Sequence, residues 1–78
     1  MRPVITDETN GIFIHEDFPD LPGTRCHDPA TGKDCVETCW EMTPEELKRV
    51  RETGRVYVVV IGHDVQPMAV SAESMIIE

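Results

Sequence analysis

Residues 42–61 read MTPEELKRVRETGRVYVVVI, and this stretch predicts one helix followed by one strand. The helix is predicted over residues 44–53, because Thr43 can cap it and the glutamate three residues later completes a capping box. Pro44 falls at the first helical position, where its missing N–H costs nothing. Gly54 suits the left-handed residue that ends many helices. Local signals therefore define both ends of this helix.

The segment after the helix, residues 55–61, favours a strand because it is almost entirely β-branched or aromatic. Alternation places Tyr57, Val59 and Ile61 on one face and three valines on the other, so both faces are apolar. We expect a central strand, covered by the helix on one face and by the rest of the chain or a second subunit on the other. A returning strand is expected at residues 67–71.

The first half of the chain predicts a strand at residues 12–14 and a loop at residues 16–23, which contain two prolines. Residues 24–40 predict a β-hairpin around the turn at residues 28–33, where proline, threonine and glycine supply turn chemistry. Together with the helix, these elements predict an α+β fold in which one short helix packs on a small antiparallel sheet of three to five strands. We expect residues 1–78 to form one small domain, with flexible residues at 1–10 and 72–78.

The predicted hairpin places Cys26 directly opposite Cys35, provided that the two ends of its turn pair. Alternation then puts Cys39 on the same face as Cys35, and Trp40 on the opposite face, which we expect to be the core face. Three thiolates on one face could bind zinc. The spacing C-x8-C-x3-C lacks the C-x2-C pairs typical of zinc sites, so free thiols are the preferred interpretation, with zinc at Cys26, Cys35 and Cys39 as the alternative. A Cys26–Cys35 disulfide is less expected in a reducing cytosol.

The composition restricts the kinds of partner. The 78 residues carry 15 acidic and seven basic side chains, a formal net charge of −8, which argues against nonspecific binding to nucleic acid. The N-terminus lacks a secretory pattern, and no apolar run has a membrane-spanning length, so we expect no membrane association and a cytoplasmic location.

Catalytic groups are sparse in this sequence. Cys26 and His27 are neighbours on a predicted strand and point apart, so the histidine cannot activate the thiol. His63 and Asp64 follow a predicted strand, where Gly-His-Asp is more typical of a polar turn. We therefore expect neither an enzyme nor a cofactor.

Three basic side chains, Lys48, Arg51 and Arg55, have i, i+3, i+7 spacing in the second half of the predicted helix and just beyond it, and we call them the basic cluster. The preferred interpretation is a solvated helix end that balances the helix dipole and pairs with neighbouring glutamates. As an interaction surface, the cluster would combine with the apolar face of the predicted strand: Lys48, Arg51, Arg55, Tyr57, Val59 and Ile61.

The second half of the chain carries WEMTPEEL at residues 40–47, TGRVY at residues 53–57, and then Gly62 and Pro67. In these features it resembles a group of small uncharacterised proteins encoded by bacteriophages and integrated mobile elements. The resemblance covers about half of the chain. It implies a phage accessory protein and assigns no activity and no site residues.

The sequence as a whole predicts a non-enzymatic, acidic binding or accessory protein that acts through a protein surface, with its partner unidentified. A homodimer is expected if one face of the strand at residues 55–61 stays uncovered. Two other classes remain open. One is a small zinc-binding domain that uses the cysteines, and the other is an acidic inhibitor that imitates nucleic acid toward a host enzyme.

Overall fold

The computed structural model describes residues 1–76 and confirms an α+β fold. Its elements, in chain order, are β1 Arg2–Val4, β2 Gly11–His15, β3 Phe18–His27, β4 Asp34–Glu37, β5 Cys39–Glu41 and α1 Pro44–Thr53. The strands form two antiparallel sheets: β1 pairs with β5, and β3 lies between β2 and β4. No helix within residues 1–76 is long and apolar enough to span a bilayer.

The helix α1 begins and ends where the sequence predicts. The backbone N–H of Glu46 donates to Thr43 Oγ1 at 3.2 Å, and the backbone N–H of Thr43 donates to Glu46 Oε1 at 2.9 Å, which completes the capping box. At the other end Gly54 has φ of 67° and donates its N–H to the Val50 carbonyl at 2.7 Å. Both ends of α1 are thus satisfied by residues next to it in sequence.

Removing the cap should weaken α1 measurably. We expect Thr43→Ala to lower the free energy of unfolding by about 1 kcal/mol, because the N–H of Glu46 loses its acceptor. Chemical denaturation followed by circular dichroism measures this change, and Thr53→Ala at the other end of α1 is the matched control. Equal stability of the Thr43→Ala variant and the parent chain would contradict the cap.

The capping box also makes α1 sensitive to acid. The pKa of Glu46 lies below the ordinary glutamate value of 4.5, first because the Met1 α-ammonium hydrogen-bonds its carboxylate and then because the Thr43 N–H does so. Folding therefore favours the charged form, so its stabilisation is complete above about pH 4.5 and is lost as the pH falls through the lower pKa of the folded state.

We accordingly expect helix content to decrease below pH 4.5, and Glu46→Gln to remove part of that decrease. Far-ultraviolet circular dichroism across an acid titration tests this. Glu45→Gln, on the same turn of α1, is the control and should titrate like the parent chain. Identical acid transitions for the parent chain and the Glu46→Gln variant would disprove the role of this carboxylate.

The hairpin of β3 and β4 has the predicted register. Its turn closes with the Asp28 N–H donating to the Lys33 carbonyl at 2.8 Å, and Gly32 adopts φ of 72°. Thr31 Oγ1 donates to the Asp28 carboxylate at 2.6 Å, and this hydrogen bond is the main reason that the pKa of Asp28 is lowered. The turn fixes the register, so Cys26 lies opposite Cys35.

The strand predicted at residues 12–14 is confirmed as β2, whereas the loop predicted at residues 16–23 is wrong. Most of that segment belongs to β3, and Pro22 lies opposite Ile12 of β2. The first part of β3 pairs only with β2, and its second part, from Thr24, pairs with β4. A proline is compatible with a strand whose second edge is unpaired, because no ladder hydrogen bond is lost there.

The strand predicted at residues 55–61 is also wrong, as is the returning strand at residues 67–71. Neither segment forms a helix or strand in the described part of the chain, and every residue from 51 to 74 is exposed. Side-chain preference alone does not create a strand, because each strand needs a neighbour for its backbone hydrogen bonds. Within residues 1–76, this segment finds none.

The interior of the protein is thin. Within residues 1–76 no apolar side chain is fully buried, and Thr24, which donates to the Glu8 carbonyl at 2.9 Å, is the buried polar residue. The predicted core face of the hairpin is wrong: Trp40 is 47% exposed, whereas Cys35 is half-buried. Trp40 belongs to β5, which pairs with β1 in the other sheet, so alternation along β4 does not extend to it.

The two chain ends predicted to be flexible differ in structure. Residues 1–10 contain β1, and the Thr9 N–H closes a turn to the Thr6 carbonyl. Residues 72–76 form no helix or strand, and the last two positions of that predicted tail, Ile77 and Glu78, lie outside the described residues.

Candidate functional site

The most concentrated chemistry in the described chain is a group of sulfur atoms on one face of the hairpin. Cys26 Sγ and Cys35 Sγ are 3.3 Å apart, and Cys35 Sγ is 3.9 Å from Met75 Sδ. Both cysteines are free thiols and half-buried. We call these three side chains the sulfur cluster.

The local environment keeps the Cys35 thiol protonated. Its pKa is raised from 9.0 to about 11, first by the hydrogen bond with the Cys26 thiol and then by partial burial. A thiolate at Cys35 would also face the negative charges of Asp28 and Glu37. At neutral pH the Cys35 thiol therefore stays protonated, which makes it a poor nucleophile.

The end of the described chain is held over this face by Glu37, two residues after Cys35. Glu37 Oε1 accepts from Ser74 Oγ at 2.6 Å, and Glu37 Oε2 accepts from the backbone N–H of Met75 at 2.9 Å. The Ile76 N–H donates to Ser74 Oγ at 3.1 Å. One carboxylate of β4 thus places the Met75 thioether beside the thiols.

A cavity of about 310 Å³ adjoins the sulfur cluster. It is lined by Cys26, His27, Pro29, Met75 and Ile76. The imidazole Nε2 of His27 lies 3.0 Å from Asp34 Oδ1, so that nitrogen is already engaged. The cavity lining includes two sulfur-bearing side chains, Cys26 and Met75.

The three cysteines of the alternative zinc site, Cys26, Cys35 and Cys39, are not brought together. Cys39 is exposed on β5 of the two-stranded sheet, whereas the other two cysteines face each other across β3 and β4. No group of three or more His, Cys, Asp or Glu side chains in residues 1–76 has the geometry to hold a metal. The sequence predicts the register that places Cys26 opposite Cys35. It does not predict that β4 ends before Thr38, which leaves Cys39 on a different strand.

A second candidate region is the exposed apolar segment of residues 55–61. The side chains of Tyr57, Val59 and Ile61 are 80%, 81% and 70% exposed. The intervening valines at positions 56, 58 and 60 are 43%, 54% and 43% exposed. Exposure thus alternates along the segment, as in an extended chain with one face turned outward.

The predicted basic cluster, Lys48, Arg51 and Arg55, is exposed. Two of its residues lie in α1, and the third is the first residue of this segment. The ion pairs within residues 1–76 join Met1 to Glu46, Arg2 to Glu41 and His27 to Asp34. None of them includes Lys48, Arg51 or Arg55, so the expected pairing with neighbouring glutamates does not occur. These three cations remain available to a partner.

Comparison of the chain with protein-family models, with curated proteins and with solved structures finds no match.

Sequence reasoning missed two participants in the sulfur cluster, Met75 and Glu37. Glu37 shares the Cys35 face by alternation along β4, which was a usable signal. Met75 is forty positions from Cys35, and no periodic pattern links them. Its position depends on a tertiary hydrogen bond, which a local sequence pattern does not encode.

Proposed function

We propose that this protein is a non-enzymatic binding protein that acts by adding residues 55–61 as a β-strand to a partner. The observation that carries the proposal is a run of six strand-favouring residues, 56–61, that has no strand neighbour within residues 1–76. The Arg55 N–H donates to Thr53 Oγ1 at 3.2 Å, but the backbone groups of residues 56–61 have no hydrogen-bond partner within residues 1–76. Strand addition to an exposed sheet edge is a common mode of peptide recognition.

The outward face of the segment supplies the apolar contact. Tyr57, Val59 and Ile61 are each at least 70% exposed and occupy alternate positions. Monomeric proteins rarely expose a contiguous apolar surface of this kind, and such surfaces are typical of interaction sites. Pairing of the backbone would give affinity, while burial of this face would give specificity.

The partner that this segment fits is a second copy of the chain. In an antiparallel pair centred on Val58, Tyr57 lies opposite Val59 of the other copy, and Arg55 lies opposite Ile61. Every directly opposed pair is then apolar or contains a single charge. A parallel pair would place Arg55 against Arg55, which like-charge repulsion disfavours. Closed twofold pairs are also the commonest protein assembly.

The remaining features support an accessory role. A net charge of −8 limits growth beyond a dimer, since the outer surfaces repel each other. Free thiols at all three cysteines support a reducing compartment such as the cytoplasm. The resemblance of the stretch from Trp40 onward supports a phage or mobile-element origin.

Sedimentation at micromolar concentration tests the proposal, combined with hydrogen exchange of the backbone amides. We expect a mass near twice the 8.8 kDa of one chain. We also expect slowed exchange at residues 56–61 that disappears on dilution, because pairing protects those amides. A mass near 8.8 kDa at all concentrations, or a dimer whose residues 56–61 exchange freely, would overturn strand addition between copies.

A further inference from the structure

Three sulfur ligands meet at the hairpin, and strand addition by residues 55–61 makes no use of them. Cys26 Sγ and Met75 Sδ both border the same cavity, and Cys35 Sγ lies within 3.3 Å and 3.9 Å of the other two sulfurs respectively. Two thiols and a thioether at such distances form a donor set without nitrogen or oxygen. The inference that follows is independent of the proposed function.

Thiolate and thioether ligands are soft and select Cu(I) among biological metal ions. Zinc sites usually have four ligands, whereas the sulfur cluster offers three. Calcium and magnesium require oxygen ligands. We propose that Cys26, Cys35 and Met75 bind one Cu(I) ion through their three sulfur atoms.

The two distances from Cys35 Sγ to the other sulfurs fit a three-coordinate ion after a small adjustment. With a metal–sulfur distance of about 2.3 Å, as in zinc thiolates, a trigonal site places its sulfurs about 4.0 Å apart. The 3.9 Å between Cys35 Sγ and Met75 Sδ already matches, and the 3.3 Å between the thiols must open by about 0.7 Å, which rotation of one cysteine side chain supplies.

A disulfide is the competing outcome for these two cysteines. Its sulfurs must lie about 2.05 Å apart, so the thiols would have to close by roughly 1.3 Å, a larger movement than the metal requires. A disulfide would also leave the contact with Met75 unused. The position of the thioether therefore favours the metal.

Metal binding at this site is a proton exchange without electron transfer. Each thiol releases its proton to water, and the ion accepts an electron pair from each of the two thiolates and from the thioether. Copper remains Cu(I) throughout, and the site carries one net negative charge.

Glu37 is the positioning residue for this site. Its carboxylate accepts from Ser74 Oγ and from the Met75 N–H, and so holds the thioether at the thiols. Pro29 and Ile76 give the adjoining cavity apolar walls.

Anaerobic titration of the fully reduced protein with Cu(I), in competition with a chromophoric Cu(I) chelator, tests the proposal. We expect one Cu(I) per chain, and a loss of affinity above about 100-fold in Cys35→Ser, since a ligand should matter at least as much as its supporting shell. Met75→Leu keeps the apolar volume and removes the sulfur, and Glu37→Gln should lower the affinity by about tenfold. Cys39→Ser is the matched control, because Cys39 lies on the other sheet.

Circular dichroism of each metal-free variant separates misfolding from the loss of a ligand, and X-ray absorption of the loaded parent chain counts the sulfur neighbours. Three sulfurs around copper, with weaker binding in folded Met75→Leu, support the proposal. Equal affinity of the parent chain and Met75→Leu for Cu(I) would overturn it. Equal affinity of Cys39→Ser and Cys35→Ser would overturn it too. The proposal would also be overturned if the reduced protein takes up no Cu(I) and exposure to air only forms a disulfide between Cys26 and Cys35.

Discussion

Gly23→Ala should destabilise the protein by about 2 kcal/mol, within the usual range for overpacking a tight site. A Cβ at this position would lie 3.2 Å from the Glu37 carbonyl oxygen, 3.2 Å from Val36 Cγ1 and 3.1 Å from Phe13 Cε2. The carbonyl belongs to the backbone of β4 and cannot move without disturbing the ladder. Gly23 is also buried, at the point where β3 changes its pairing from β2 to β4.

The matched control is Gly11→Ala, because Gly11 lies directly opposite Gly23 in β2. A Cβ at Gly11 meets Arg25 Nη1 at 3.2 Å, and this contact involves the far end of a flexible side chain. We expect a loss of free energy of unfolding below about 0.5 kcal/mol there, as for most surface substitutions. Chemical denaturation of both variants decides the comparison. Equal stability of the two would contradict the close packing described for Gly23.

The elements that the sequence predicted correctly are those specified by neighbouring residues. The helix α1 has its cap at Thr43 and its end at Gly54, and each signal lies within four positions of the group that it satisfies. The turn between Asp28 and Lys33 sets the register of a hairpin in the same way. For this reason the opposition of Cys26 and Cys35 could be predicted before any coordinates were known.

The incorrect predictions concern pairing between distant segments. Prolines at positions 19 and 22 suggested a loop, but they lie in the part of β3 that pairs on one side only. Residues 55–61 have the composition of a central strand and yet no neighbour within residues 1–76. Composition reports which side chains fit a sheet, and only the rest of the fold decides whether a sheet edge is available.

The sulfur cluster depends both on contacts between neighbouring residues and on contacts between distant segments. Its thiol pair follows from the hairpin register, which local turn chemistry determines. Its thioether follows from the hydrogen bond between Glu37 and the Met75 backbone, across 38 positions of sequence. A pattern search restricted to Cys and His spacing therefore finds two of the three sulfurs and adds Cys39, which the topology places elsewhere.

Val59→Asp is expected to raise the dissociation constant of the proposed homodimer by more than about 100-fold, which corresponds to roughly 3 kcal/mol. Val59 is 81% exposed and lies outside every helix and strand, so the substitution should leave the isolated chain folded. In the proposed antiparallel pair it lies opposite Tyr57 of the other copy. A carboxylate there would be buried without a partner, which is strongly unfavourable.

Val65→Asp is the matched control for this substitution. Val65 is 66% exposed and also lies outside every helix and strand. Its replacement by aspartate introduces the same charge beyond the paired segment. If general acidity weakened the dimer, both variants would dissociate alike. If residues 55–61 form the interface, Val59→Asp dissociates and Val65→Asp does not. Sedimentation equilibrium over a concentration series measures both constants, and circular dichroism confirms that α1 is retained. A Val59→Asp chain that dimerises as tightly as the Val65→Asp chain would place the interface outside residues 55–61, because no strand pairing in this register accommodates a buried carboxylate at its centre.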